Sequence, residues 1–266
     1  MSDVDFINWP TSLLRPARAL AAQVPFTRSG GRSLGGIARY TRTDKGFWRI
    51  TLTDVTLWSP EMRREWNMIR TELNGQAGLV AVPCWSIDSA PYPSGKRERP
   101  TIYTHEDDTF FDDSTGYYEG SIRLATASYA PIGATTIVLR QINASGVEGI
   151  RFSYQHALYE TGRITEQVGI DEYRVPIFPA VRAAIPGGAW LEVDNPTCLC
   201  RLADDRGMDI ELSAAQIDQA TVDFVEAVDV WNDLATESPG FVPTYEGADG
   251  FDFRYINNTQ YLPLIF

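Results

Sequence analysis

The predicted fold rests mainly on residues 24–83, which read VPFTRSGGRSLGGIARYTRTDKGFWRITLTDVTLWSPEMRREWNMIRTELNGQAGLVAVP. This stretch opens with a loop rich in Arg and Gly. Two strand-like segments follow, 37–43 and 47–58, and the tripeptide Asp44-Lys45-Gly46 between them has the composition of a short hairpin loop. In the second segment apolar and polar residues alternate, which is the period of a half-buried strand. The stretch therefore predicts a β-hairpin.

A capped helix is predicted directly after the hairpin. Ser59 suits the N-cap, Pro60 suits the first helical position, and Asn74-Gly75 favours a left-handed stop. Between these ends, apolar residues recur at helical spacing and form one face: Met62, Trp66, Ile69 and Leu73. Residues 79–83 then predict a strand that returns to the sheet.

Short strands are predicted throughout the second half of the chain. Gly and Pro bound many short apolar segments there, which is typical of a β-sandwich or barrel. The fold class predicted is mainly β (α+β), a sandwich or barrel with an N-terminal β-hairpin and one amphipathic helix. The predicted strands are 121–128, 135–142, 149–154, 157–165, 172–178, 188–194, 197–203, 208–213 and 221–229, with single helical turns at 179–185 and 214–219.

Composition suggests three segments. Residues 1–118 form a predicted N-terminal hairpin-helix domain that begins with a short helix or ordered arm over 1–23 and carries a loop insertion at 85–118. Residues 119–236 form a predicted β-sandwich or barrel domain. Residues 237–266 are dense in aromatic residues, Pro and Gly and show no period, so they predict a C-terminal arm that packs on its own domain or on a neighbour.

Bulk properties exclude several classes of protein. The net charge of −12 argues against a dedicated nucleic-acid binder, which needs a basic surface, although it is compatible with a channel through which DNA passes. No apolar run is long enough to span a membrane and the N-terminus lacks an apolar signal core, so we expect synthesis in the cytosol. Three cysteines, Cys84, Cys198 and Cys200, predict buried thiols and no disulfide framework or zinc site.

A catalytic serine is not favoured. Residues 31–35 match the G-x-S-x-G pattern of a nucleophile elbow, but that elbow needs a helix after the turn, and a β-hairpin is predicted here. The alternative is a glycine-rich loop. The arginines close to it, Arg28, Arg32 and Arg39, suggest contact with an acidic partner surface, because the guanidinium group grips carboxylates well.

An acidic segment leaves three interpretations open. Its carboxylates could lie in a solvated loop, which we favour, bind a cation, or act as an acid/base pair in glycan cleavage. The spacing does not match an EF-hand loop. His105 beside it and His156 are interpreted as structural. The carboxylates are Glu106, Asp107, Asp108, Asp112 and Asp113.

The order of these segments resembles minor tail proteins of long-tailed bacteriophages, especially distal tail or baseplate-ring proteins, or related gene-transfer-agent-like particles. The resemblance covers about residues 24–230. It rests on SGGRSLGG, DKG-x-WR-x-TL and REW-xx-IR in the first half, and on GATTIVLRQI, GIRFSYQHALYE, VPIFPAVRAAIPGGAWLEVDNPTCLCRLADD and ATVDFVEAV in the second.

The resemblance implies a structural virion protein and not an enzyme, with no catalytic residue, cofactor or metal. It implies a self-assembled ring, expected to be a hexamer, at the tail tip. The implied partners are the tail tube protein, the tape measure protein and the baseplate hub or tail fibre proteins, with DNA only as transiting cargo and no membrane insertion. Candidate subunit-interface residues are Arg28, Arg32, Arg39, Trp66 and Arg70.

Two alternatives from other classes remain open. A carbohydrate-binding module for the host surface would stack sugar on Trp190 or on the pair Tyr117-Tyr118. A cell-envelope glycan hydrolase would use the acidic segment, and replacing Asp107 or Asp108 by Asn would abolish its turnover.

Overall fold

The computed structural model describes residues 4–32, 35–36, 38–85, 89–98, 101–103, 117–119, 121–210 and 218–237. The structure is mainly β, with 47% of the described residues in strands and 11% in helices, and its packed sheets include one that curls into a half-barrel. The predicted fold class is therefore confirmed. The elements are β1 (Ile7–Asn8), β2 (Pro16–Arg32), β3 (Ala38–Leu57), α1 (Pro60–Leu73), β4 (Val80–Pro83), β5 (Thr101–Tyr103), β6 (Tyr117–Glu119), β7 (Arg123–Thr126), β8 (Thr136–Asn143), β9 (Arg151–Tyr154), β10 (Ala157–Thr161), β11 (Glu166–Gly169), β12 (Glu172–Phe178), β13 (Thr197–Leu202), β14 (Asp218–Glu226) and α2 (Val228–Glu237).

Two larger sheets and one small pair make up the described strands. The first sheet has the order β1-β4-β13-β14-β3-β2, and only the β1–β4 pair is parallel. It combines strands of the predicted segment 1–118 with β13 and β14 of the predicted segment 119–236, so that sequence boundary does not coincide with a boundary between sheets. The second sheet has the order β7-β8-β12-β10-β9, with β11 also paired to β12, and β5 pairs with β6.

Helix α1 begins and ends where the sequence predicts. The Ser59 hydroxyl accepts a hydrogen bond from the Met62 N–H at 3.2 Å, and Asn74 adopts the left-handed conformation with φ 45°. Trp66, Ile69 and Leu73 are buried in one apolar cluster with the inward side chains of β3 and β14. The apolar face of the helix therefore covers the first sheet.

The hairpin has a different turn from the predicted one. Asp44-Lys45-Gly46 lies inside β3, which runs unbroken from Ala38 to Leu57. At this end the partner of β3 is β2, where the sequence predicts a short helix or arm and then a loop. Strand β2 ends at Arg32, β3 begins at Ala38, and a turn lies at Gly35. Within β3 the alternation is confirmed: Trp48, Ile50 and Leu52 are buried while Arg49 is exposed.

Several other elements differ from the expectations. Residues 188–194 form only isolated bridges, through Trp190 and Glu192, and no strand. Residues 179–185 form no helix. The strand expected at 221–229 starts earlier, at Asp218, and gives way to α2 at Val228, while β11 is not predicted at all. Residues 208–210 are not a strand, and the remainder of 208–213 lies outside the described residues, as does most of the C-terminal arm.

A buried ion pair joins the two sheets. Arg182, in the segment after β12, donates from Nε to one oxygen of Glu226 at 2.7 Å and from Nη2 to the other at 3.1 Å. The side chains are 11% and 1% exposed. Nη2 also donates to the Gly46 carbonyl at 2.7 Å, and Glu226 accepts the Trp48 N–H at 3.0 Å. Both oxygens of the Glu226 carboxylate therefore accept hydrogen bonds, which offset the cost of burying its charge.

The predicted burial of the three cysteines is confirmed, and His156 lies in a turn. All three thiols are buried and unpaired, and burial raises the pKa of each. His156 lies in a two-residue turn between β9 and β10, with φ 67°, where it bonds the Thr197 hydroxyl at 2.8 Å and packs edge-on against Phe6. Burial lowers its pKa.

We expect Arg182→Ala to lower the free energy of unfolding by about 3–5 kcal/mol, because it leaves the Glu226 charge buried without a counter-ion. Urea denaturation followed by tryptophan fluorescence measures the change. The matched control is Arg140→Ala, which breaks the exposed pair with Glu172 and should cost at most about 1 kcal/mol. Equal losses in the two variants would contradict the structural role of the buried pair.

We also expect a pH effect from His156. A depressed native pKa means that the unfolded chain binds the proton more readily, so stability contributed by neutral His156 is present above about pH 6.5 and is lost as the pH falls below it. The substitution His156→Asn, which tolerates the left-handed turn, should flatten the slope of unfolding free energy between pH 7 and 5. Identical slopes for wild type and variant would show that the residue is not linked to folding.

Candidate functional site

The far part of the β2–β3 hairpin, residues 25–43, projects from the body of the protein and is called the hairpin arm. Strand β14 pairs with β3 from Arg49 to Leu57, so beyond Arg49 the one neighbour of β3 among the described strands is β2. Every described side chain of 25–32 and 38–41 is exposed. Six residue steps separate Phe26 from Arg32, which corresponds to a projection on the order of 20 Å.

The base of the hairpin arm is held firmly. A Cβ at Gly46 would lie 2.3 Å from the ring of Phe178, so only glycine permits this close approach of strand and ring. The Gly46 carbonyl accepts the bond from Arg182 described above. Phe178 in turn packs edge-on against Trp48, with centroids 5.5 Å apart. A projecting ribbon is thus attached to a packed, hydrogen-bonded base.

The hairpin arm is strongly cationic. Residues 25–43 contain four arginines and no Asp, Glu or Lys. Because the whole chain carries a net charge of −12, the residues outside the hairpin arm carry −16. Arg28, Arg32 and Arg39 are exposed and form no ion pair with another described residue. The charge is therefore available to a partner.

Aromatic side chains accompany this charge on both faces of the ribbon. Phe26 is 52% exposed and Tyr40 is 71% exposed. The register pairs Phe26 with Thr43 and Tyr40 with Ser29, which places the two rings on opposite faces. Exposed aromatic residues beside arginines are the composition enriched at protein–protein interfaces.

Strand β2 is also an edge of the first sheet. Within the described strands its outer side has no partner over its full length of 17 residues. Natural proteins protect such long edges, because free N–H and C=O groups invite another chain to pair. Pro16, Pro25 and the arginines provide part of that protection here.

The structure brings together only some of the predicted interface residues. Arg28, Arg32 and Arg39 share the hairpin arm. The interface role does not fit Trp66, whose side chain is fully buried and whose Nε1 donates to the Met208 carbonyl at 2.9 Å. Arg70 lies on the last turn of α1, away from the hairpin arm, and pairs with Asp209 at 3.6 Å.

The candidates for the alternative functions are scattered. Trp190 is 55% exposed beside β7, opposite Ala125. Tyr117 and Tyr118 lie in β6, where the structure describes the backbone but not their side chains. The acidic segment Glu106–Asp113 and His105 lie outside the described residues. In the G-x-S-x-G segment, Arg32 ends one strand and Ala38 begins the next, so no helix follows the turn as an elbow requires.

Metal and cavity sites give no stronger candidate. Among the described residues no group of three or more His, Cys, Asp or Glu side chains is arranged to hold a metal ion. A cavity of about 260 Å³ lies between α1 and β14 and is lined by Arg63, Asn67, Arg70 and Asp218, among others. Arg63 pairs with the buried Asp218 at 2.9 Å. Leu57 and Ile210 complete the lining.

Comparison with known proteins leaves this geometry as the main guide. No protein-family model matches the chain, and no curated protein matches its sequence. In the part of the chain that the structure describes, no helix has both the length and the apolar character needed to cross a membrane.

We expect Gly46→Ala to destabilise the protein by about 1–3 kcal/mol, because the added methyl group overlaps Phe178 and forces the base of the hairpin arm to shift. Thermal unfolding followed by circular dichroism measures the effect. Gly146→Ala is the control, since a Cβ there meets nothing within 4 Å. If both variants melt like the wild type, the base is less tightly packed than described.

Proposed function

We propose that this protein is a structural component of the tail tip of a long-tailed bacteriophage. In this proposal it forms a ring, of six copies by the resemblance, that joins the tail tube to the baseplate and host-recognition apparatus and surrounds the DNA channel. Its partners would be further copies of itself, the tail tube protein, the tape measure protein and the hub or tail fibre proteins. It performs no chemical reaction.

The hairpin arm is the observation that carries this proposal. A ribbon that projects on the order of 20 Å, with exposed side chains on both faces and a rigid base, adds nothing to the core of its own subunit. It has the features of a segment that is buried only in an assembly. The resemblance of the sequence to ring-forming tail proteins supplies the kind of assembly.

The mass of the purified protein across a concentration series, with negative-stain images of the large species, tests the proposal. We expect closed rings with an open centre. In a short-hairpin variant, residues 27–42 are replaced by Asn-Gly between the paired residues Phe26 and Thr43, which preserves a two-residue hairpin. This variant should fold and remain monomeric.

The control for non-specific association is Ile170→Ser, which removes a side chain that is 90% exposed at another hairpin tip. It should leave the rings unchanged. A wild-type chain that stays monomeric at all concentrations, or a short-hairpin variant that still forms the same rings, would count against the proposal.

A carbohydrate-binding module is the second candidate, favoured by the exposure of Trp190. An indole that is 55% exposed offers a flat apolar face on which a sugar ring can stack. Saturable binding on a glycan array that Trp190→Ala abolishes would support it, with Trp58→Ala as the control because that side chain is 63% exposed. Binding that both variants retain would exclude Trp190 as the sugar platform.

A further inference from the structure

Two hairpin arms repel each other. Antiparallel pairing of two β2 edges would bring the arginines of one hairpin arm beside those of the other, and like charges directly opposite one another are destabilising. A two-fold, self-complementary contact through the hairpin arms is therefore disfavoured. The contact partner is expected to be acidic, and the residues of this chain outside the hairpin arm carry −16.

The described chain has an acidic surface at the opposite end of the same sheet. Strand β3 runs away from the hairpin arm to Leu57, which pairs with Asp218 at the start of β14. Strand β13 ends at Leu202 opposite Phe224, so the connection after β13 starts towards that remote end. Through Phe224, Leu202 is level with Ile50 of β3, which lies seven steps from Thr43, or roughly 23 Å. Strand β13 is two strands away from β3 across the sheet, and the hairpin arm extends in the opposite direction, so it points away from this surface on its own subunit.

This surface, called the acidic end, consists of Glu72, Asp204, Asp205 and Asp209. All four residues are exposed. Asp205 accepts a hydrogen bond from the Gln76 N–H at 3.2 Å, which ties the connection after β13 to the end of α1, one turn after Glu72.

The acidic end keeps uncompensated negative charge. Of the nearby arginines, Arg70 and Arg206 both pair with Asp209, at 3.6 and 2.7 Å, and Arg201, which donates to the Gln76 carbonyl, pairs with Asp229 at 2.7 Å. Glu72 and Asp204 form no ion pair with another described residue. The acidic end is therefore complementary in charge to the hairpin arm.

We propose that the hairpin arm of one subunit docks on the acidic end of the next copy. The contact is heterologous, head to tail, and such contacts close into rings or continue as filaments. This inference rests on the proposed function and deepens it, because it names the two surfaces that meet. The guanidinium groups bind carboxylates, and the aromatic ring on the docked face of the ribbon is buried between the subunits.

Charge reversal in the full-length protein tests the inference. The arm-reversed variant carries Arg28→Glu, Arg32→Glu and Arg39→Glu. The end-reversed variant carries Glu72→Lys and Asp204→Lys and keeps Asp205, whose hydrogen bond supports the fold. The control, Asp5→Lys with Asp171→Lys, makes the same change in net charge as the end-reversed variant, on exposed residues that form no ion pair with another described residue. Sedimentation velocity measures association, and circular dichroism confirms folding.

Each reversal alone should weaken self-association on the order of tenfold or more, and the control should not. Raising the salt from about 50 to 500 mM should weaken the wild type as well, because the contact is exposed to screening. Mixing the two reversed variants should restore assembly with alternating subunits, since each hairpin arm then meets an end of opposite charge. One chain carrying both sets should assemble by itself.

Some outcomes contradict this inference without contradicting the proposal that the protein forms a ring. If arm reversal prevents assembly while end reversal does not, the hairpin arm docks elsewhere on the neighbour. Rescue of the arm-reversed variant by a chain carrying Asp107→Lys and Asp108→Lys would then identify the acidic segment as the acceptor. If neither reversal affects the rings, the subunits meet through other surfaces. A wild-type chain that never assembles contradicts the proposed function and this inference together.

Discussion

The bidentate pair between Arg182 and Glu226 is the contact on which the arrangement of the molecule depends. It lies where β3, β14 and the segment after β12 meet, and it also bonds the Gly46 carbonyl and the Trp48 N–H. Two sheets and the base of the hairpin arm therefore share one buried network. In a low-dielectric site such a network is strong when every group is satisfied, so it specifies how these parts sit together.

Local signals in the sequence predicted local structure well. The caps of α1 depend on Ser59, Pro60 and Asn74, which act on neighbouring backbone groups, and the helix has the predicted ends. The alternation in β3 reports one buried face and was confirmed. The turn at Asp44-Lys45-Gly46 was wrong because glycine has two uses, in turns and where another group approaches closely. At Gly46 the approaching group is Phe178, 132 residues further along the chain, and no local pattern reveals it.

The candidate site was partly predictable for the same reason. A cluster of arginines without acids is visible in the sequence, and Arg28, Arg32 and Arg39 do share one exposed ribbon. Periodicity showed that Trp66 lies on an apolar face, but it cannot show whether that face covers a neighbouring subunit or the protein's own sheet; here it covers the sheet. The acidic end could not be predicted from the sequence, because the end of α1 and the connection after β13 meet only in the folded structure, through the hydrogen bond between Gln76 and Asp205.

The strand order of the first sheet has a consequence for biosynthesis. Strands β2 and β3 can pair as soon as they leave the ribosome. The other neighbour of β3 is β14, and β4 pairs with β13, so both of these pairings join strands that are far apart in the sequence. The hydrogen bond of the Trp48 N–H can form only after Glu226, 178 residues later in the chain, has been synthesised. Non-local pairing of this kind folds slowly. Throughout translation of the intervening strands, the edge of β3 from Arg49 to Leu57 lacks its partner β14. The nascent chain therefore exposes an unpaired strand edge, which another chain can pair with, until residue 226 has emerged.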